Sequence, residues 1–443
     1  MTKTNIRVLI VGAGYAGLGC AIECKRKGHD VVVLERMPEF KMLGEFLCSF
    51  VVISLGVNAG RIIARWGLHD ELWNICGHAP ELRLHNYAGE LIRQQPFPSP
   101  LFGAYSYNGH RAHIHDVLLR HALSIGVEVR MGKDVVGYWE EETGEGAGSG
   151  GKAGVVLQGG ERVVGDVVVA ADGVKSRGRE YVLGYHAEPR SSGYAVYRAW
   201  FDAEEQGVDK DPLTDYLVKN GDVLYGWIGK DVHMLASSRA KKDISWVITH
   251  KDTTYVDGRW SLPGKIEDVL AIVKDWHPRC AAIISKAPSC VDWKLLVHDP
   301  LPTWVSKKGR VVLVGDAAHP FLPTSIQGAS QAIEDGVTIA VCLLRAGKSR
   351  IPLGTRTWES IRYDRVREAQ LMGESTRDKW HRVQIGDKGP SFDLPMPEWL
   401  LNFDAEDNAH GAFEREAKRF ERDGYRMPGE RSEGRGGGLE GHA

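Results

Sequence analysis

The chain has 443 residues, and its 56 lysines and arginines nearly balance its 58 aspartates and glutamates, which leaves a formal net charge of −2. This balance excludes the basic field of a nucleic-acid-binding protein, and the longest apolar run, residues 46–55, is shorter than the roughly 20 residues that span a bilayer. We therefore expect no nucleic-acid partner and no membrane span. The 7 cysteines are scattered and no secretory signal precedes the first apolar stretch, which favours a cytoplasmic protein without a metal site.

The first elements in chain order predict a βαβ unit. Residues 6–11 form a continuous apolar stretch, typical of a parallel strand buried on both faces. Residues 12–27 have helical spacing, and residues 30–34 predict the second strand. Two later apolar stretches, residues 166–171 and 310–314, end beside an acidic residue and a glycine. Together these stretches predict an α/β fold with a doubly wound parallel sheet.

The turn after the first strand reads Gly12-x-Gly14-x-x-Gly17, and Glu35 ends the second strand. Glycines let the backbone approach a pyrophosphate, and the N-terminus of the following helix stabilises its negative charge. An acidic residue at the position of Glu35 accepts hydrogen bonds from ribose hydroxyls. The pattern predicts a dinucleotide site without distinguishing FAD from NAD.

The rest of the chain changes character twice. Residues 190–300 alternate in the manner of antiparallel strands, and residues from 357 onward are charged and helical. The glycine-rich residues 141–154 are predicted to be the tip of a hairpin. We predict a cofactor domain (residues 1–75, 108–189 and 301–356), an inserted β-sheet substrate domain (76–107 and 190–300), a C-terminal helical segment (357–433) and a disordered tail (434–443).

Two later motifs point to the same ligand edge. Asp316 follows a predicted buried strand, at the end where open α/β sheets bind ligands; the alternative is that it caps the next helix. Gly328 and Ala329 begin a stretch with helical spacing that Gly347 ends. The start of that helix would present free N–H groups and a partial positive charge.

With the Glu35 turn, the Asp316 element resembles that of single-component FAD-dependent aromatic monooxygenases, which include salicylate hydroxylases and fungal enzymes of secondary metabolism. Residues 170–176, which contain Asp172, and residues 111–118, which begin with Arg111, match further elements of that family. One position departs from the family's Gly-Gln-Gly, because this chain has Ile326 in place of the first glycine.

The resemblance implies specific contacts for these residues. Asp316 would hydrogen-bond the ribityl chain of FAD, and Arg111 would lie against the ribityl and phosphate groups. Asp172 belongs to an element that the family ties to both FAD and NADPH. The helix start at Gly328 and Ala329 would face the N1–C2 carbonyl edge of the flavin and stabilise its anionic reduced form.

The resemblance also implies a reaction. NADH or NADPH binds transiently and reduces the flavin, which captures O2, and a C4a-hydroperoxide then hydroxylates an electron-rich ring, a phenol or salicylate-type acid. One alternative is oxidation of an indole 2,3-bond in alkaloid biosynthesis. Another is a catalytically impaired flavin-binding protein, because residues 45–57 are longer and more apolar than the family's turn at that place. A monomer or a homodimer is expected.

Two residues of the predicted substrate domain are candidates for catalysis. Related fungal enzymes carry an arginine at the position of Arg198, where it would hold a phenolate or aid oxygen transfer; a structural ion pair across the sheet is the alternative. Tyr225 corresponds to a tyrosine that would orient a phenolic oxygen, and a core aromatic is its alternative.

Overall fold

The computed structural model describes residues 3–40, 52–141, 151–252 and 261–433. The strands within these residues are β1 (Arg7–Val11), β2 (Asp30–Leu34), β3 (Val52–Leu55), β4 (Cys76–Gly77), β5 (Glu81–Asn86), β6 (Leu91–Pro96), β7 (Tyr107–His110), β8 (Glu128–Arg130), β9 (Val135–Glu140), β10 (Ala153–Leu157), β11 (Arg162–Gly165), β12 (Val167–Ala170), β13 (Arg190–Asp202), β14 (Leu224–Gly229), β15 (Val232–Arg239), β16 (Asp243–Lys251), β17 (Ser261–Gly264), β18 (Cys290–Val297) and β19 (Val311–Leu313).

The helices of the same residues are α1 (Tyr15–Arg26), α2 (Val57–Arg65), α3 (His69–Ile75), α4 (Arg111–Ser124), α5 (Arg177–Leu183), α6 (Tyr216–Lys219), α7 (Ile266–Ile272), α8 (Pro278–Ser285), α9 (Gly328–Ala346), α10 (Ile351–Trp380), α11 (Glu398–Leu401), α12 (Ala405–Asp423) and α13 (Pro428–Glu433). Single 3₁₀ turns cover Gly315–Ala317, Pro323–Ser325, Lys348–Arg350 and Pro390–Phe392.

A five-stranded parallel sheet has the order β19-β12-β1-β2-β8, and Leu9 of β1 pairs with Val168 on one side and Val32 on the other. Its central strand is apolar because helices cover both faces. Helix α9 packs closely on α1, since a Cβ at Gly336 would lie 2.5 Å from the backbone nitrogen of Cys20. The predicted α/β class with a parallel sheet is confirmed.

An eight-stranded sheet has the order β17-β18-β13-β16-β15-β14-β5-β6. One face packs on α7 and α8 through a core that includes Trp227 and Trp246. The other face carries Val196, which packs on Leu322, and Ile228, which packs on Trp380 of α10. The predicted hairpin around residues 141–154 is observed as the antiparallel pair β9 and β10, and its residues 142–150 lie outside the described ranges.

Helix α10 runs without a break through residue 356, where the sequence analysis divided the cofactor domain from the C-terminal segment. Pro352 is tolerated there because it occupies the first turn, where its missing N–H costs no helical hydrogen bond. Within the described ranges, no helix is both long and apolar enough to cross a membrane. Residues 434–443 of the predicted tail lie outside those ranges.

Candidate active site

The glycine turn forms an open cradle between β1 and α1. Gly12 has φ 96°, and a Cβ there would lie 2.6 Å from the carbonyl oxygen of Ala171. A Cβ at Gly17 would collide with the carbonyl oxygen of Gly12, whereas a Cβ at Gly14 would meet no described atom within 4 Å. Gly14 is the N-cap of α1 and provides no side-chain cap. The first turn of α1 therefore presents backbone N–H groups to an open space that suits an anionic ligand.

Glu35 closes this cradle at the end of β2. One carboxylate oxygen accepts the N–H of Ala13 at 2.8 Å, and the other accepts the N–H of Met37 at 2.9 Å. Each carboxylate oxygen has room for a second hydrogen bond. The buried Glu35 is thus held firmly by the backbone and can still accept ligand hydroxyls.

Asp316 lies in the turn after β19, and its carboxylate has no hydrogen-bond partner among the described residues. Desolvation by the protein atoms around it raises the pKa of Asp316 above its usual range although the side chain is open to solvent, and His319, Arg111 and Arg179 partly oppose that rise. Arg179 donates to the backbone oxygen of Asp316 at 3.0 Å instead of to its carboxylate. The Asp316 side chain is therefore a free acceptor facing the cleft.

Arg111 and Asp172 flank the cradle in different ways. The backbone oxygen of Arg111 accepts the hydroxyl of Tyr15 at 2.7 Å, and its guanidinium makes no hydrogen bond with the described residues. One oxygen of Asp172 accepts the Tyr138 hydroxyl and the N–H groups of Arg177 and Gly178, while its other oxygen is buried without a partner. Asp172 therefore stabilises its own turn, which packs against Gly12, and Arg111 is open to a ligand.

Helix α9 begins at Gly328 and Ala329 without a side-chain cap. Gln327 occupies the N-cap position but makes no capping bond, and the first turn contains no acidic residue. Gln327 instead accepts the side-chain amide of Asn58 at 3.1 Å. The N–H groups of the first turn and their partial positive charge are thus available to an electron-rich ligand edge.

Arg198 lies on the face of the eight-stranded sheet that also carries Val196, the face toward the parallel-sheet part of the chain. It makes no ion pair or hydrogen bond with the described residues, and its Nε is buried without a partner. Burial lowers the pKa of Arg198 to about 10, and the positive charge of Arg111 adds to this effect. Trp293 lies beneath its guanidinium at 5.3 Å from the ring centre. The cations Arg198 and Arg111 therefore lie close enough to affect each other electrostatically.

These features fit a flavin dinucleotide. The open start of α1 and the buried Glu35 suit a pyrophosphate and a ribose. The unpartnered carboxylate of Asp316 suits the hydroxyls of a ribityl chain, and the uncapped start of α9 suits an anionic ring edge.

Comparisons with known proteins decide the family. Residues 105–368 match the model of an FAD binding domain, and residues 7–44 match that of an FAD dependent oxidoreductase. The FAD-dependent monooxygenase notI of Aspergillus sp. (strain MF297-2) is 34% identical over 426 residues, which cover 94% of this chain and 93% of notI. The chain belongs to the FAD-dependent monooxygenases.

Solved structures agree with this assignment. The complex of CtdE with FAD and its substrate 4 has a TM-score of 0.84 and 31% identity, and the match covers 94% of this monooxygenase and 100% of CtdE. A salicylate hydroxylase substrate complex has a TM-score of 0.75 at 24% identity, covers 93% of this chain and 98% of that one, and shows the fold alone. The predicted family and the predicted FAD-binding class are thereby confirmed.

The monooxygenase structure does not bring Tyr225 together with Arg198. Across the sheet, Arg198 pairs with Val247, and Val247 pairs in turn with Leu235 on the next strand. Leu235 pairs with Gly226, so the residue of β14 in the same cross-strand row as Arg198 is a glycine. Because successive strand residues point to opposite faces, Tyr225 points to the other side of the sheet. It belongs there to the core with Trp227. This position favours the core-aromatic alternative for Tyr225.

Part of the apolar segment at residues 45–57 is an ordinary element of this monooxygenase. Residues 52–55 form β3, which pairs antiparallel with β7. The N–H of Gly56 donates to Ser330 of α9 at 2.9 Å. Residues 45–51 lie outside the described ranges, so flavin binding is the test of the impaired-site alternative.

A buried charge network behind the site was missed by the sequence analysis. Arg362 of α10 is fully buried and pairs with Glu334 and with Asp335 of α9. Asp335 also accepts the ring N–H of His319 at 2.6 Å and the backbone N–H of Gly315 at 3.0 Å. This network holds the start of α9 and the turn of Asp316 in one fixed arrangement. Glu334 and Asp335 lie in the stretch predicted to be helical, between Gly328 and Gly347, but nothing near them in sequence identified Arg362 as their partner.

Proposed function

We propose that the protein uses NADH or NADPH and O2 to oxidise an electron-rich aromatic ring, a phenol or a salicylate-type acid. The observation that carries this proposal is the guanidinium of Arg198, which is partly buried on an apolar sheet face, with its Nε fully enclosed, and has no carboxylate partner among the described residues. A cation that loses water contacts without gaining a partner is costly, and an anionic ring oxygen would supply the missing partner. The ring would lie between the flavin and the eight-stranded sheet.

The cofactor would be held by the residues of the open cradle. The start of α1 at Gly14 would bind the pyrophosphate, and Glu35 would bind the adenosine ribose. Asp316 would accept a hydroxyl of the ribityl chain, and the start of α9 would bind the N1–C2 edge. When bound and reduced by NADH or NADPH, the flavin would supply the electrons that activate O2, and one oxygen atom of O2 would be transferred to the ring while the other leaves as water.

Arg198 would bind the substrate and stabilise its anionic form. Its pKa of about 10 keeps it cationic at neutral pH, so it can hold a phenolate, the form of a phenol that reacts best with an electrophilic oxygen. Val247 and Leu235 continue the row of Arg198 across the sheet and form an apolar wall. Such a wall excludes water and strengthens the attraction between Arg198 and an anion.

Oxidation of an indole 2,3-bond is the second candidate, and the composition of the same row favours it. The neighbours of Arg198 in register are Val247 and Leu235, and Tyr225 brings no hydroxyl to this face. The apolar face of a neutral fused ring would therefore pack on this wall. Arg198 would then donate to the oxygen that is being transferred, in place of holding a phenolate.

The test begins with an absorbance spectrum of the purified protein. NADH and NADPH oxidation is then followed in air with matched phenols, salicylates and indoles, and products are analysed by mass. Phenol or salicylate products heavier by one oxygen support the first proposal, and oxidised indoles alone support the second. Ring-independent NAD(P)H oxidation that yields only hydrogen peroxide contradicts both. A protein that binds FAD but consumes neither NADH nor NADPH supports the catalytically impaired alternative, and a protein that cannot be loaded with FAD has lost the cofactor site itself.

A further inference from the structure

Ile326 has a backbone conformation that its side chain disfavours. It lies between the 3₁₀ turn Pro323–Ser325 and helix α9, with φ 54° and ψ 21°. A branched Cβ crowds the backbone in this left-handed region, which glycine or asparagine adopts far more readily. Among the described residues with positive φ, Ile326 is the one β-branched side chain. Such an outlier at a site points to a functional reason for keeping it.

The surrounding loop holds Ile326 in this conformation. Its N–H donates to the carbonyl of Pro323 at 3.0 Å. Thr324 donates to the carbonyl of Gly373 in α10 at 2.8 Å. A Cβ at Gly373 would lie 2.6 Å from the Cβ of Ser325, so the loop sits directly on α10. The loop is fixed on both sides of Ile326, and the strained backbone cannot relax independently.

The same conformation directs the Ile326 side chain toward the sheet face that carries Arg198. There it packs, still partly exposed, against a buried cluster that includes Ile228 and Trp380, and Leu235 packs against the same cluster. Leu235 lies in the register row of Arg198, two strands away. Two residues after Ile326, Gly328 begins α9. The side chain therefore lies at the cluster that borders the apolar wall, two residues before the helix start assigned to the flavin.

We propose that Ile326 is a specificity-determining residue that limits the depth of the ring cavity along the wall of Leu235. This inference rests on the proposed function, because it assumes an aromatic substrate between the flavin and the sheet. The four carbons of its side chain take the space that a branched substituent on the ring would need. The protein thus prefers rings whose inner edge is unsubstituted, and removal of the side chain admits a four-carbon substituent there.

The experiment compares Ile326→Gly and Ile326→Ala with wild type in the FAD-loaded protein. Ile326→Val is the matched variant that keeps the branched Cβ, and Ile385→Ala, at a site with 63% exposure, is the control for an apolar truncation elsewhere. Dissociation constants of parent and tert-butyl-substituted phenols and indoles are measured from changes in the flavin spectrum without NAD(P)H. We expect the substituted-to-parent affinity ratio to rise at least tenfold in Ile326→Gly and less than threefold in Ile326→Val.

An unchanged ratio, within twofold, in both Ile326→Gly and Ile326→Ala overturns the role of Ile326 even when wild type binds and oxidises the parent rings. Absence of binding of every ring by wild type and by both variants overturns the proposed aromatic function, and this inference with it. Ile326→Ala carries the same comparison if Ile326→Gly does not fold.

Discussion

The carboxylate of Asp335 accepts the backbone N–H of Gly315 at 3.0 Å, and this bond ties α9 to the turn that carries Asp316. The other oxygen of Asp335 accepts the guanidinium of Arg362 at 2.9 Å. Burial would raise the pKa of Asp335, but His319 and Arg362 outweigh that effect and lower it. The position of Asp316 in the cleft thus depends on a fully buried ion pair from another part of the chain.

Substitution of Arg362 by methionine should destabilise the fold strongly. The variant removes the cation that Glu334 and Asp335 share and leaves them with Arg365 and His319 respectively, and breaking a buried pair in this way costs about 3–5 kcal/mol. Chemical denaturation measures the free energy of unfolding. Arg345→Ala, which removes a largely exposed pair with Glu414, is the control and should cost less than about 1 kcal/mol. Equal losses in the two variants would contradict the structural role of the network.

Replacement of Asp316 by alanine should weaken FAD binding. A carboxylate that accepts a ligand hydroxyl contributes about 1.5–3 kcal/mol, which corresponds to roughly a 10- to 150-fold increase in the dissociation constant for FAD. The flavin-to-protein ratio after gel filtration and titration of the apoprotein with FAD measure the change. Asp316→Asn keeps one acceptor oxygen and should lose less. Undiminished flavin retention in Asp316→Ala would remove this residue from the cofactor site.

Replacement of Arg198 by alanine should separate flavin binding from catalysis. The variant should retain FAD and lose about 10²- to 10³-fold in turnover, the usual cost of removing one donor that stabilises developing negative charge. Its stability should not fall, because the arginine is partly buried without an ion-pair partner among the described residues. Tyr225→Phe, on the opposite face of the sheet, is the matched control. Turnover of Arg198→Ala within a few-fold of wild type would disprove the proposed role.

The contact between His381 and His233 should make the fold sensitive to acid. Their ring nitrogens lie 2.8 Å apart, and burial with nearby Arg377 lowers the pKa of His381 to about 4, against the opposing charges of Asp231 and Asp378. Between about pH 6.5 and 4, His381 is therefore protonated in the unfolded chain and neutral in the folded protein. The free energy of unfolding consequently falls as the pH falls.

The His381 contribution to this loss is about 3 kcal/mol, since each pKa unit corresponds to about 1.4 kcal/mol. Unfolding free energies at pH 7 and pH 4 should show a smaller acid loss in His381→Gln than in wild type. Burial also lowers the pKa of His233, so the His381→Gln variant should still lose some stability in acid. The same pH dependence in both proteins would contradict the assignment to His381.

Sequence patterns predict the features that depend on neighbours in the chain. Strand β1, the glycine turn and Glu35 lie within about thirty residues, and their pattern predicts the βαβ unit directly. Helix α9 follows from its apolar spacing and from Gly347, which comes after it with φ 72°. Because these elements carry their own local signals, the amino-acid sequence alone suffices to predict the strand, the turn and the helix that line the proposed cofactor site.

The remaining features depend on register and on contacts far apart in sequence. The face of Tyr225 relative to Arg198 follows from three strand pairings, and none of these registers can be deduced from either strand alone. Arg362 is 27 positions from Asp335. In the sequence it cannot be distinguished from an exposed helical arginine, because its burial follows from the packing of α10 on α9. The left-handed backbone of Ile326 follows from the loop bonded to Gly373.

Helix α10 contacts both the parallel-sheet part of the chain and the eight-stranded sheet, so its length fixes the distance between these two contacts. Arg362 anchors one part of it to the acidic pair of α9, and Trp380 packs its last turn against the eight-stranded sheet. The two anchors are 18 residues apart on one helix, about 27 Å at the α-helical rise. One inserted residue between them would rotate the anchors by about 100° relative to each other. The number of residues between Arg362 and Trp380 is therefore tightly constrained. We expect insertions and deletions in related chains to fall outside this part of the helix.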